Sequence, residues 1–568
     1  MIKKLVGVSF LVMLALWGIF LLAGCGEGVE ETMTTTTTAS TSSTTTTTLA
    51  APANVSALAS TLQNIITWEA VTGAVSYNLY WSTTTGVTTV GGTKISGVSS
   101  PYTHAGLVNG LTHYYIADAV DAASNEGAVS TQFSAQPQNA GTLDTSFNSQ
   151  GWLLRNTDAG ADGCATNAGF NTNAIVTDSA GKILVTGFGL NSNGDKDMVL
   201  WRFNADGTMD TTFNGTGYVV SNISDGANKD DAGNAVAIDS SERILVAGYL
   251  HSGGISYMTI WRYNSNGTLD TSFNSGQGWL TRNNAAGGNG DDQANSIAID
   301  GSGKILAAGT SAFSPTDLDM AVWRFNSDGS LDTTFNSVGS YTQSGAAGGT
   351  GDDYAFGIAL DPTGRILVTG SSKDGASHSN LVVWRFKSDG TPDATFGGSG
   401  WALKLGSAGG LGDRGYSIIS DPDGKIVVAG FALKSNGRQA MIVWRYNPDG
   451  SPDTTFSGTG YNGTGNIGGG DTDLGQALIL DRAGKIMVVG GSSDTSANLE
   501  LAIWRFNTDG TLDTSFNGQG WLLHNNAAGG NKDTMGTAIN IDPYGRIIAA
   551  GYSYHDATHT SLVVWRYK

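Results

Sequence analysis

The chain has 568 residues, too many for one ordinary hydrophobic core, so several domains or a closed array of repeats is expected. Its formal charge is 30 − 49 = −19, which argues against nucleic-acid binding, a task that needs clustered Lys and Arg. Two cysteines exclude a disulfide framework, and the 81 glycines fall at turn positions between apolar runs, the texture of an all-β repeat protein.

Met1 to Cys25 reads MIKKLVGVSFLVMLALWGIFLLAGC: two lysines, a long apolar stretch, then Leu22-Ala23-Gly24 before a cysteine. This stretch resembles a bacterial lipoprotein signal, in which small residues precede a cysteine that is diacylated and becomes the mature N-terminus. The resemblance implies a signal peptide at residues 1–24 and lipid attachment at Cys25. Acyl chains, at about 0.8 kcal/mol per buried CH₂, would then hold the chain to a membrane without a spanning segment. An uncleaved transmembrane helix is the alternative, because the apolar run approaches spanning length. Gly26 follows the cysteine, whereas an aspartate there commonly retains Gram-negative lipoproteins at the inner membrane. The outer membrane is therefore the implied address, with the side left open. Residues 25–50 include a nearly pure Thr/Ser tract, Thr32 to Thr48, which lacks apolar content and reads as a disordered tether.

From residue 51 to 138 the texture changes to short alternating strands. NIITWEAV, SYNLYWSTT and LVNGLTHYYIADAV resemble a fibronectin type III module. By that resemblance Trp68 is the buried strand-B tryptophan, Tyr77 and Leu79 are strand-C core residues, and His113 stands where the family has its corner tyrosine. Tyr80 and Trp81 suggest an aromatic platform, but consecutive strand residues face opposite ways, so one of them is expected in the core.

Residues 139–568 repeat. Trp201, Trp261, Trp323, Trp384, Trp444, Trp504 and Trp565 are separated by 60, 62, 61, 60, 60 and 61 residues. Each unit has four strand-like stretches; in the second they are GYVVSNI, NAVAIDS, RILVAGY and MTIWRYN. Four strands per unit and no helical pattern point to propeller blades, with a flat solenoid as the alternative. The ends decide between them. A first GTLDTSF starts at Gly141 with no Trp-Arg strand of its own repeat before it, and the chain stops at VVWRYK with no GTLDTSF after it. Complementary ends suit a ring. The expected fold class is all-β, a seven-bladed β-propeller of four-stranded blades preceded by a small fibronectin type III-like β-sandwich.

Within the unit, Asp178, Asp239, Asp300, Asp361, Asp421, Asp481 and Asp542 begin turns of the form Asp-x-x-(Gly/Glu)-(Lys/Arg). The arginine after each landmark tryptophan is expected to be semi-buried and to need an acceptor. The (Leu/Met/Pro)-Asp-x-x-Phe segment offers one. Arg202, Arg262, Arg324, Arg385, Arg445, Arg505 and Arg566 are therefore paired in expectation with Asp210, Asp270, Asp332, Asp393, Asp453, Asp513 and, across the two ends, Asp144. The phenylalanines from Phe147 to Phe516 are expected to fill the gap between neighbouring blades. These motifs resemble the delta-60 repeat family of secreted bacterial propellers, over about Gly141 to Lys568. The resemblance implies architecture and no activity.

Chemistry is sparse. Loops entering the second strand of each unit are rich in Gly, Asn and Asp. The pairs Asp230–Asp231, Asp291–Asp292 and Asp352–Asp353 are candidate Ca²⁺ ligands, against the plainer reading that they cap turns. The spacing is not that of a D-x-D-x-D-G loop. His555 and His559 form His-x-x-x-His in a loop, without the helix that zinc spacing requires, and Cys164 is a lone thiol. No catalytic residue and no cofactor other than Ca²⁺ is indicated. The sequence supports a monomeric, non-enzymatic cell-envelope lipoprotein whose propeller binds a protein or glycan, held to the membrane through its N-terminal lipid. The alternative is a hydrolase or lyase acting on surface polysaccharide, and a third reading is a calcium-stiffened surface protein. A funnel with clustered, non-repeating His, Glu, Arg and Tyr would favour the enzyme; one lined alike by every blade would favour binding.

Overall fold

A computed structural model describes residues 48–60, 63–137, 140–155, 164–165, 175–191, 194–221, 230–530, 533–555 and 559–568. Cys25, the signal segment and all but the end of the Thr-rich tract lie outside the described residues. Among the described residues every regular element is a β-strand.

Between Ser56 and Ala135 seven strands form two antiparallel sheets. One has three strands in the order Ser56–Ser60, Gln63–Thr67, Tyr102–Ala105; the other runs Thr93–Val98, Ser76–Ser82, His113–Val120, Phe133–Ala135. Ile66, Trp68, Tyr77, Leu79, Tyr115 and Ala117 share their core. Tyr80 is buried, its hydroxyl donating to Asp118 Oδ2 at 3.1 Å. Trp81 is half-buried against the rings of His104 and His113, at 4.8 and 5.4 Å. Neither is a free platform. His113 Nδ1 lies 2.8 Å from the Leu111 carbonyl.

Seven further sheets occupy the repeat region. The second shows the plan: an inner strand Asp231–Ile238, then Ile244–Ser252, Ile255–Tyr263 and an outer strand Trp279–Arg282, each antiparallel to the last. The first sheet carries an extra pair, Cys164–Ala165, on Ile183–Leu190. Sheet and sequence unit are out of phase by one strand. The first stretch of each unit, such as Tyr218–Ser221, pairs with the Trp-Arg strand before it and finishes the preceding sheet, because the tight connector folds it straight back.

That offset closes the array. The seventh sheet takes Thr534–Ile541, Ile547–Tyr554 and Thr560–Tyr567 from the end of the chain and Trp152–Arg155 from its beginning, with Trp152 facing Trp565. Around the molecule each inner strand contacts the next, and the last, Thr534–Ile541, contacts the first, Ile175–Thr177. The sheets form a ring.

Both faces of each sheet are covered, which is why the second and third strands read as near-continuous apolar runs. Val199, Trp201 and Phe203 pack toward the seventh sheet with Phe147 and Val564, while Met198, Leu200 and Phe213 pack toward the second with Trp261. All seven landmark tryptophans are buried. Each inner strand of sheets two to seven has a bulge near its middle, at Asn234, Asn295, Phe356, Tyr416, Gln476 and Thr537. The residue facing the bulge on the second strand is glycine for a steric reason. A Cβ at Gly248 would stand 1.9 Å from the Ala232 carbonyl oxygen, and one at Gly370 1.7 Å from that of Tyr354.

The joint between sheets is made by the repeated connector. Arg202 Nε donates to Asp210 Oδ2 at 2.7 Å, and its Nη1 reaches the Ser265 carbonyl in the next sheet's connector turn. Its guanidinium lies 4.5 Å from the Phe213 ring centroid. The same Arg–Asp pair recurs at 2.7 Å for Arg262–Asp270, Arg324–Asp332 and Arg445–Asp453, and at 2.9 Å for Arg385–Asp393. Arg505 departs from it, with Nη2 2.5 Å from Asp481 and Nε 3.4 Å from Asp513. Phe213 in turn lies under Gly267 of the next sheet's turn. A Cβ there would meet the ring at 3.0 Å, and φ is +88°, so the Asn-x-(Asp/Asn)-Gly turn needs its glycine twice over.

At the junction of the two ends, Arg566 Nε donates to Asp144 Oδ2 at 2.8 Å, and Nη1 to the Ala205 carbonyl of the first sheet. The side chains of this pair are 2% and 3% exposed. Removing one member of such a pair leaves a buried charge uncompensated. Asp144→Ala is expected to lower the unfolding free energy in urea by about 3–5 kcal/mol; a loss below about 1 kcal/mol, the size of an exposed pair, would contradict a buried closing contact.

Candidate functional site

The strand ends give each sheet two edges. One carries the hairpin turns after the inner strand and the connectors after the third strand. The other carries the hairpins between second and third strands and the loops that cross from one sheet to the inner strand of the next.

The turn edge repeats one chemistry. All seven arginines and all seven connector aspartates named above are brought together there, and each aspartate has a second cation near it. Lys182, Lys304, Lys425 and Lys485 bond Asp210, Asp332, Asp453 and Asp513 at 2.7, 2.5, 2.5 and 2.7 Å. The interval is 28 residues each time. That constant spacing is visible in the sequence, but the pattern Asp-x-x-Gly-Lys by itself points only to its turn. Where the cation is arginine it bends back to its own turn. Arg243, Arg365 and Arg546 bond Asp239, Asp361 and Asp542 at 2.7, 2.6 and 2.6 Å and stay 3.9, 3.8 and 3.7 Å from Asp270, Asp393 and Asp144. Burial alone would raise the Asp210 carboxyl, but hydrogen bonds from Lys182 and Thr212 and the charge of Arg202 hold it down at about 2. These groups are joined to one another in each sheet.

On the crossover edge the candidate calcium ligands have separate duties. The first aspartate of each pair ties two sheets together: Asp230, Asp291 and Asp352 accept through Oδ1 from the backbone N–H of Lys196, Ser256 and Leu318, at 2.9, 2.6 and 3.3 Å. Asp533 does the same for Leu499 at 2.7 Å. The second aspartate is buried. Asp292 Oδ1 accepts from Ala312 N at 3.2 Å, and Asp353 Oδ2 from Gly345 N at 2.5 Å; Asp231 opens its own inner strand in the same place. The first aspartate of each pair precedes the inner strand that the second one opens, and the two carboxylates are spent on different backbone donors. Among the described residues no group of three His, Cys, Asp or Glu side chains is placed to hold a metal ion. The rings of His555 and His559 stack at 5.6 Å on the last hairpin, and Cys164 begins the extra strand of the first sheet.

In the fifth and sixth sheets the tying aspartate is missing. Its position holds Gly412 and Thr472, and the backbones it would have tied are those of Ser379 and Gln439. Two clefts open there. One, of about 390 Å³, is lined by His378, Ser379, Gly412, Arg414, Tyr416 and Phe431 among others; its neighbour, of about 640 Å³, includes Arg438, Asn466, Thr472 and Asp494, and both include Gln439. The smaller sits on an aromatic cluster found in no other sheet among the described residues. Tyr354 stacks on Phe356 at 5.5 Å, Phe356 meets Tyr416 at 5.1 Å, and Tyr416 meets Phe431 at 5.8 Å. At the equivalent bulge positions Asn234 and Asn295 instead donate to the Ala294 and Ala355 carbonyls of the next inner strand. His378 Nδ1 lies 3.1 Å from Asp374 Oδ2. Burial pushes the Tyr416 hydroxyl up to about 12, so it stays protonated at neutral pH.

Six segments, residues 181–213, 241–273, 301–335, 362–396, 422–456 and 484–516, match the family model described as "Domain of unknown function (DUF5122) beta-propeller". The repeat region is a β-propeller. No curated protein matches the chain. Among solved structures, a polysaccharide lyase PL25 ulvan lyase bound to -[GlcA(1-4)Rha3S]- is similar at 12% identity and TM-score 0.41, covering 72% of this chain and 95% of that one. A protein of unknown function from Dyadobacter fermentans DSM 18053 is similar at 11% identity and TM-score 0.36, covering 74% and 99%. An Fn3-like protein from Clostridium thermocellum is similar at 29% identity and TM-score 0.15, covering 17% of this chain and 99% of its own.

The buried aspartates of the crossover edge carry a pH signature. Burial is the largest influence on Asp353, which rises to about 6, and the charges of Asp319 and Asp317 push the same way. A folded-state value above the unfolded one means that its contribution to stability is present near pH 4 and is lost as pH rises through 6. His104 and His524, pushed down to about 4 by burial, act in the opposite sense over the same interval. The informative quantity is thus a difference. Asp353→Asn is expected to gain about 2–3 kcal/mol relative to wild type between pH 4 and pH 7; a pH-independent difference would contradict the placement.

Proposed function

We propose that the chain is a cell-envelope lipoprotein whose β-propeller, a seven-bladed member of the DUF5122 family, is a binding module for a glycan or protein partner rather than an enzyme. In this reading Cys25 carries the lipid, residues 25–50 are a tether, residues 51–138 are a fibronectin type III-like spacer, and residues 139–568 form the propeller, acting as a monomer. The observation that supports it is the division between the two edges of the ring. The turn edge has the same Arg, Asp, Lys or Arg, and Phe in each sheet and serves to join the blades. The crossover edge differs from blade to blade, and clefts open where the repeat lacks its tying aspartate. Surface that varies on a rigid repeated frame is where recognition is built.

A second reading, polysaccharide lyase or hydrolase, draws on one specific feature: His378, bonded to Asp374, shares a cleft with Arg414 and Tyr416, and neither Arg414 nor Tyr416 recurs at its position in the other described blades. The two readings separate in a single experiment. The full chain, offered a glycan panel and solubilised envelope proteins, is expected to retain a ligand without shortening any polymer. Depolymerisation of one of the glycans would reverse the ranking. The anchor has its own test. Cys25→Ser is expected to move the chain from the membrane fraction to the soluble fraction; a variant that stays with the membrane would contradict lipid attachment at that residue.

A further inference from the structure

We propose that the cleft between the fourth and fifth blades is a subsite for a carboxylate-bearing sugar residue, with the Arg414 guanidinium receiving the carboxylate. The inference rests on the binding-module reading and specifies what that module takes.

The repeat supplies an internal reference. At the position of Arg414 the other described blades have Ala232, Gln293, Tyr354, Leu474 and Met535, so the fold does not require an arginine there. Arg414 is half-buried. Among the described residues no carboxylate comes within 4.0 Å of its guanidinium; its Nη2 has the Ser379 hydroxyl at 3.4 Å, and the Tyr416 and Tyr354 hydroxyls are neighbours. The acid beside it in sequence, Asp413, turns away to Ser407, with Oδ2 accepting from the hydroxyl at 2.7 Å. The contrast with the turn edge is sharp: there, guanidiniums withdrawn from water are matched by buried aspartates. A partly desolvated guanidinium without a counter-charge holds unused donors, and a carboxylate is the anion that fits its planar fork.

The missing tie makes room for that anion. In blades two, three, four and seven the space beside the inner strand is taken by a carboxylate of the chain itself, Asp230, Asp291, Asp352 or Asp533. In the fifth blade Gly412 leaves the space open. Where other blades place their own carboxylate, this one presents a cleft with an unmatched cation at its wall.

The rest of the lining selects a sugar. The buried rings of Tyr416 and Phe431 back the cleft, while the Gln439 amide and the Ser379 hydroxyl offer donors and acceptors for ring hydroxyls. At about 390 Å³ the cleft is of small-ligand size. The wider cleft beyond Gln439 gives a chain of sugars somewhere to continue.

Calorimetric titration of the full chain with three probes tests the assignment: a short oligogalacturonide, its methyl ester, and a glutamate-rich peptide. The acid is expected to bind at least about tenfold more tightly than the ester, which keeps the sugar and removes the charge. Arg414→Gln is expected to weaken acid binding by about tenfold or more with an unchanged melting temperature. Gly412→Asp, which restores the repeat's own carboxylate, is expected to abolish acid binding; only the flexible Leu433 side chain stands near the new Cβ, at 2.7 Å. Equal binding of acid and ester, or an Arg414→Gln variant that binds like wild type, overturns the role of Arg414 while glycan binding stands. Tighter binding of the peptide overturns the sugar assignment. Failure of all three probes overturns the subsite, and the wider binding reading falls with it only if the glycan and envelope-protein panel is also silent.

Discussion

Everything in the ring depends on how one blade grips the next, and the grip is a buried guanidinium. Six of the seven landmark arginines bridge an aspartate of their own sheet and a carbonyl of the following sheet, and the same six lie within 4.3 to 4.8 Å of a connector phenylalanine ring. A buried ion pair is weak evidence of net stabilisation, since desolvation offsets much of the attraction. What it supplies is register. The guanidinium's donors are satisfied only when both sheets are at the right height and angle, and a slipped blade would leave them buried and unmet. The aspartates are held as firmly: Asp210 accepts from Thr212 as well as from Arg202 and Lys182. Apolar packing between sheets supplies the bulk of the cohesion, and the polar joint fixes the geometry in which that packing occurs.

The same joint explains the sequence at the two ends. Because each unit contributes its first strand to the preceding sheet, a chain of whole units leaves one sheet lacking its outer strand and one outer strand lacking a sheet. Trp152–Arg155 and Thr560–Tyr567 are those halves, and the joint between them, Arg566 with Asp144, is the one used everywhere else. Closure thus adds no new interaction type. It completes the series.

Much of this was legible in the sequence because the residues concerned repeat. A period near sixty, four apolar stretches and complementary ends point to a closed ring without reference to coordinates, and the pairing of Arg202 with Asp210 follows from the need of a buried cation for an acceptor. What escaped was of two kinds. The second cation, Lys182 or its equivalents, lies 28 residues from its aspartate, too far for local turn logic to reach. The phase offset between unit and sheet was hidden because hydrophobic pattern identifies strands and not their partners. The aspartate-rich loops show what composition alone leaves out. Composition groups Asp352 with Asp353, while the fold ties Asp352 to the Leu318 backbone of the preceding sheet and Asp353 to Gly345. The cleft at Arg414 stood in plain view only as an exception, a Gly and an Arg where the other units read differently, and an exception gains meaning once the structure says what the rule was for.

The central claim is that the two ends of the repeat region meet in one sheet. Leu153 and Val564 are directly opposed across that seam, at the short Cα separation typical of facing strand residues. The most direct measurement is mild oxidation of the Leu153→Cys/Val564→Cys double variant, followed by peptide mapping. The account predicts an intrachain disulfide joining the two positions in the folded protein; thiols that remain free, or that link only between separate chains, would contradict it.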